Sequence, residues 1–203
     1  MIKSDKGFHV YFPAGKDLEV WADKISELIL EASKEPGSGL ALRSPELIKR
    51  KIQENKAVVA LTNSDNTLVG FCYVDTWQND EYVVNSALIV HPEWRGKGIA
   101  TLLKQELFRY AKKTFRNAKI FGLTTSEAVM KINQKLGYRV ASYDKLTTDK
   151  GFWKGCESCV HYDELQRNDG RNCKCTGMIF DPDDSEHGPY ANEEALCSIE
   201  AGD

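Results

Sequence analysis

The stretch LIVHPEWRGKGIATLLKQELFRYAKK, from Leu88 to Lys113, constrains this chain more than any other. An apolar run ends at His91-Pro92, and two glycines follow with Arg95 and Lys97 beside them. A helix-period pattern then begins, in which Ile99, Leu102, Leu103, Leu107, Tyr110 and Ala111 share one face while Lys104, Arg109, Lys112 and Lys113 occupy the remainder. The pattern predicts a strand, a tight turn and a long amphipathic helix, with a basic end suited to the negative pole of the helix dipole. Gly96 and Gly98 sit at the mouth of that helix, where glycine is a poor helix former. Two readings are open. The glycines either shape the turn, or they clear side chains from the unpaired N–H groups of the first turn, which form a natural anion site. The spacing is neither a P-loop, which needs G-x-x-x-x-G-K-[ST], nor a dinucleotide fingerprint, which needs Gly or Ala where Thr101 stands.

The rest of the chain surrounds this unit with further elements. Leu18, Trp21, Ala22, Ile25, Leu28 and Ile29 predict a helix from about Asp17 to Ala32, and Ser44-Pro45-Glu46 opens a second one carrying Leu47, Ile48 and Ile52. Residues 57–62, 68–77 and 81–90 read as consecutive antiparallel strands. Residues 118–124 read as a short buried strand, Ser126 as the cap of a helix that ends at Gly137, and 138–143 as another strand. The order predicts one mixed α/β domain whose first half is mainly antiparallel.

Charge excludes little but still directs the reading. Of 30 acidic residues eight lie in 181–203, where none of the 27 basic residues is found, so the upstream chain is mildly basic. That is too weak a bias for nucleic acid. No run approaches the roughly 18 apolar residues of a spanning helix, and MIKSDKGFHVYF lacks a signal-peptide core. The expectation is a soluble, cytoplasmic protein, a monomer or homodimer without nucleic-acid or membrane partners.

LIVHPEWRGKGIA (88–100) resembles motif A of the GNAT family of acyltransferases, an apolar strand, a Pro, then Q/R-x-x-G-x-G/A, here Arg95, Gly98 and Ala100. AVMKINQKLGY (128–138) is similar to the family's motif B helix with its Leu-Gly-Phe/Tyr ending, here Leu136, Gly137 and Tyr138. The two motifs stand in the family's order and spacing, and the resemblance covers roughly residues 10–147. It implies the GNAT acyl-CoA N-acyltransferase fold and an N-acetyltransferase that uses acetyl-CoA as co-substrate. The pyrophosphate would lie on the amides of Gly96, Lys97, Gly98, Ile99 and Ala100, with Arg95 and Thr101 beside them, and the pantetheine arm along Leu88, Ile89 and Val90. An acceptor amine on a small molecule or peptide would attack the thioester directly. GLTTS (122–126) is faintly like a stretch of the N-acetylglutamate synthase type, which favours an amino acid. Where many relatives carry a Tyr that protonates the leaving thiolate, Asn133 stands here. An amide can donate a hydrogen bond to sulfur but has no proton to transfer at neutral pH. The acid is then water or absent, or Asn133 only holds the co-substrate; an acyl-CoA sensor without turnover is the alternative function.

No base declares itself. Glu81 heads the strand that carries Asn85, from which a water chain to the amine can be drawn, against the plain reading of a solvated turn acid. His91 reads as a loop residue. Past residue 147, Cys156, Cys159, Cys173 and Cys175 follow a C-x2-C-x13-C-x-C pattern, with TGMIF (176–180) as a delayed last strand. The thiols can form a zinc site, remain buried and reduced, or make redox-labile pairs, and no metal ligand is assigned. The expected organisation is a core over 1–147, a cysteine-containing extension over 148–180 and an acidic tail over 181–203.

Overall fold

Ala57, Val59 and Leu61 point to one side of their strand, Val58 and Ala60 to the other, and all five are buried. A strand apolar on both faces must lie between two layers. The computed structural model, which describes residues 2–14 and 17–184, shows those layers. The chain runs β1 (Ile2–Lys3), β2 (Phe8–Tyr11), α1 (Asp17–Ser33), α2 (Pro45–Gln53), β3 (Ala57–Thr62), β4 (Leu68–Trp77), β5 (Tyr82–Val90), α3 (Ile99–Thr114), β6 (Lys119–Thr124), α4 (Glu127–Lys135), β7 (Arg139–Val140), two short helices α5 (Lys150–Lys154) and α6 (Tyr162–Arg167), and β8 (Thr176–Phe180). The eight strands form one sheet in the order β1-β2-β3-β4-β5-β6-β8-β7, with β5 and β6 parallel and the other neighbours antiparallel. The fold is mixed α/β, as expected.

Helices α1 and α2 cover one face through Ala22, Ile25, Ile29, Ile48 and Ile52, which pack on Val59, Phe71 and Ile89. Helix α3 covers the other through Ile99, Leu103, Leu107 and Phe108, against Val58, Val69, Cys72 and Val83. Gly70 on β4 sets the depth at which α3 docks, since a Cβ there would stand 2.9 Å from Ile99 Cγ2 and 3.0 Å from Leu103 Cδ1.

Three segments differ from the sequence reading. The pair β1 and β2 was not expected, because four residues of β2 give too short a pattern to register. The strand expected over 138–143 stops at Val140, and Tyr143 opens a 3-10 turn instead. Its hydroxyl is drawn off the sheet to donate to Cys175 O at 2.8 Å. Helices α5 and α6 lie where no helix was expected. The strand β8 enters between β6 and β7, after the long connection that holds the cysteines. The tail from residue 185 on, with Cys197, lies outside the described residues.

Candidate active site

Two irregularities in β5 open the molecule. Its pairing with β6 covers Tyr82–Val84 against Lys119–Phe121 and ends there. Its pairing with β4 slips between Phe71 and Tyr73, and at that bulge Ala87 takes a φ of +51°, a left-handed conformation uncommon for a residue with a Cβ. Beyond the bulge His91 N–H donates to Val69 O, so by strand alternation Leu88 and Val90 present their main-chain groups away from β4. Arg95 Nε donates to Val90 O at 3.3 Å from that side. A cleft of about 1230 Å³ occupies the space between the diverging strands. A single small-ligand pocket holds roughly 300–1000 Å³, so there is room for a long ligand and a second, smaller one.

The mouth of α3 forms one end of this cleft. Gly96 and Gly98 have φ of +76° and +86°, and a Cβ at either would meet nothing within 4 Å. Their conformation favours glycine, and the space beside them is open. Gly98 caps α3 without a side-chain hydrogen bond, and the first bond of the helix runs from Leu102 N–H to Gly98 O. The N–H groups of Ile99, Ala100 and Thr101 therefore lack intrahelical acceptors, at the positive end of a 16-residue helix. Arg95, Gly96, Gly98, Ile99, Ala100, Thr101, Leu88, Ile89 and Val90 all line the cleft. Lys97 does not, and its ammonium lies 4.0 Å from the Trp94 ring centre. Arg95 is also engaged within the protein: its guanidinium grips both oxygens of Glu35 at 2.6 and 3.0 Å and holds that carboxyl below its usual range. The two charges expected to face a phosphate are thus turned to protein partners, leaving the main-chain donors.

Behind the bulge, on the α3 face, polar groups gather in an apolar setting. Ser126 Oγ accepts from Val129 N–H to start α4, and Gly137 ends it in a left-handed turn, where Tyr138 N–H donates to Asn133 O. Asn133 is thereby fixed on the cleft wall. It is 1% exposed, its Nδ2 faces Met178 Sδ at 3.5 Å, and its Oδ1 has no partner among the described residues. Lys104 also lines the cleft and is only 2% exposed, although the helical pattern assigned it to the polar face. Its ammonium sits 5.4 Å from the Tyr138 ring centre, and burial pushes its pKa down to about 8, opposed by the nearby Cys72 thiol. That thiol, pushed up to about 12 by burial, donates to Asn85 Oδ1 at 2.9 Å. Burial also raises the Tyr138 phenol. Among the described residues no carboxylate pairs with Lys104.

The opposite face of the bulge carries different chemistry. Arg43, in the connection from α1 to α2, reaches Tyr73 on β4 and Ser86 on β5. Cys156, Cys159, Cys173 and Cys175 converge on this wall, with His161, whose Nε2 is buried without a partner among the described residues. Tyr143 Oη lies 3.1 Å from Cys173 Sγ, and the N–H of Cys175 and of His161 point at Cys173 Sγ and Cys159 Sγ at 3.3 and 3.5 Å. Burial pushes the Cys156 thiol up to about 11, with Cys159 and Cys173 adding to the rise and Arg43 opposing it. The spacing brings four thiols to one wall, yet among the described residues no three His, Cys, Asp or Glu side chains are disposed to hold a metal ion. Glu81 is exposed at the head of β5, roughly 20 Å of strand from the bulge, and does not line the cleft. By alternation its row, with Val83 and Asn85, points to the α3 face, away from Arg43 and Ser86. His91 lies outside the cleft as well.

The sequence model of the acetyltransferase (GNAT) family matches residues 23–138, more than half of the chain. The chain belongs to the GNAT family. Its fold is that of an N-acetylglutamate synthase from Neisseria gonorrhoeae, solved with coenzyme A and N-acetyl-glutamate, at TM-score 0.60 and 18% identity over 86% of this chain, which spans 35% of that one. A phosphinothricin acetyltransferase from Sinorhizobium meliloti, solved with acetyl-CoA, gives TM-score 0.58 and 16% identity over 86% of this chain and 88% of that one. A GNAT acetyltransferase from Staphylococcus aureus gives 0.59 and 13% over 86% and 98%. No curated protein sequence matches significantly. The GNAT match ends at Tyr138, so β8 and the cysteine wall lie beyond it. Neither Arg43 nor Lys104 belongs to a GNAT motif quoted above; the one signal available for Lys104 was its place one residue after the apolar pair Leu102-Leu103.

Proposed function

We propose that this GNAT protein transfers the acetyl group of acetyl-CoA to a primary amine of a small molecule or peptide by direct attack. The observation that carries the reading is the mouth of α3: main-chain donors without intrahelical acceptors, two left-handed glycines with open space beside them, and a continuous gap leading from there along β5. The N–H groups from Gly96 to Thr101 bind the diphosphate, and Leu88 and Val90 pair through their main chain with the amide-bearing arm, as in strand addition. Acetyl-CoA supplies an activated acyl thioester. A main-chain N–H beside the Ala87 bulge receives the charge that develops on the carbonyl oxygen.

Asn133 orients the sulfur by an amide N–H, and Lys104 supplies the proton the leaving thiolate needs. An ammonium held near 8 lies close to the ordinary thiol pKa of about 8.5, which suits proton transfer between them. On the other face, the His161 imidazole is the cleft group suited to take the amine's proton, and Glu81 is outside this geometry. Gly98→Asp tests the reading. Asp tolerates the left-handed conformation better than most residues, and it sets a carboxylate against the diphosphate. In a variant with unchanged circular dichroism, coenzyme A affinity by calorimetry should fall at least about tenfold, a loss of about 1.4 kcal/mol; unchanged affinity overturns the proposal. Binding without transfer to any member of an amine panel would favour the sensor instead.

A further inference from the structure

Arg43 is held more tightly than packing requires, and by the wrong partners for a cation. Its Nε donates to Tyr73 Oη at 2.7 Å, its Nη1 to Leu42 O at 2.8 Å and its Nη2 to Ser86 Oγ at 3.4 Å. Its own carbonyl accepts from Ser26 Oγ at 2.7 Å, which ties the main chain to α1. Every acceptor on the guanidinium is neutral. Arg95 is matched by Glu35 and Lys51 by Asp75, whereas among the described residues no carboxylate lies within ion-pair distance of Arg43. A guanidinium carries five N–H donors in a planar fork, and three are used here, so two remain for a ligand in the cleft.

Position narrows what that ligand is. Tyr73 and Ser86 are cross-strand partners immediately before the bulge, and Ala87 follows Ser86 directly. The fork is therefore fixed by two strands of the sheet within a few bonds of the point where the acyl group and the amine must meet. A half-buried cation at that point, with no neutralising carboxylate among the described residues, fits an anion on the substrate. Resting on the acetyltransferase reading, we propose that the acceptor is an amine bearing a carboxylate a few bonds from its nitrogen, an amino acid, and that Arg43 binds that carboxylate.

The test compares each of a set of amino acids with its own α-carboxamide and its decarboxylated amine, with acetyl transfer followed by release of the coenzyme A thiol. At least one amino acid should exceed both of its matched analogues by about 100-fold in kcat/KM, the scale set by a partly buried charge left without its partner. Arg43→Met should close that gap, chiefly through KM, while Arg43→Lys, which keeps the charge and loses the fork, should recover part of it. Calorimetry with coenzyme A is the control, since Arg43 lies away from the α3 mouth and its variants should bind normally. Amines or carboxamides acetylated as well as the amino acids, a gap that survives Arg43→Met, or no transfer to any amino acid by a protein that binds coenzyme A would overturn the carboxylate proposal alone. Failure of the wild-type chain to bind coenzyme A would instead remove the acetyltransferase reading on which it rests.

Discussion

A lysine that burial holds near pKa 8 lowers the stability of the folded chain at neutral pH. Lys104 ordinarily titrates near 10.5. As pH rises the folded state sheds this proton first, so between about 8 and 10.5 the unfolded chain binds more protons and stability climbs. The penalty is fully present below about 8 and is on the order of 3 kcal/mol. Lys104→Met should therefore be more stable than the wild-type chain in urea unfolding at pH 7, with the difference closing above pH 10.5; equal stability at both ends would contradict this account. If Lys104 serves the leaving thiolate, the same variant should lose about 100-fold in kcat, together with the basic limb of the pH profile. The helical pattern placed Lys104 on the polar face because periodicity reports only an angle around α3. What covers that angle is Tyr138, some thirty residues later.

At the scale of elements, the local rules held where they were strongest. Ser44 and Ser126 cap α2 and α4 through Leu47 N–H and Val129 N–H, as their sequence positions implied. Replacing Ser126 with Ala should cost about 1 kcal/mol, read as a lower urea midpoint at unchanged slope. The glycines at 96 and 98 were legible as a turn at the mouth of α3, and their left-handed conformation supplies the reason for their identity. The strand expected over 138–143 was cut short for a reason no local pattern carries, since Tyr143 finds its hydrogen-bond partners at Cys173 and Cys175, thirty residues on. Likewise β5 reads as one apolar run, and nothing local shows that β6 leaves it after Val84 or that Ala87 strains the strand.

Across the whole molecule, β8 joins distant parts of the chain. It pairs with both β6 and β7, and its Met178 and Phe180 are buried among Phe108, Tyr138 and Asn133. A chain ending at Cys175 would leave β7 unpaired, β6 held only by its short pairing with β5, and that core open, so it should show no cooperative thermal transition. Two-state melting of such a truncation would refute the structural role given to β8. By itself the sequence determined the α3 unit, the two motifs and the delayed last strand, because capping, periodicity and glycine requirements are local and repeat across a family. Only the tertiary structure decided that Arg95 faces Glu35, that Lys104 is buried, and that Arg43 meets Tyr73 and Ser86 at the bulge. Those are pairings between segments tens of residues apart, and a side chain's charge state and partners depend on what surrounds it in space.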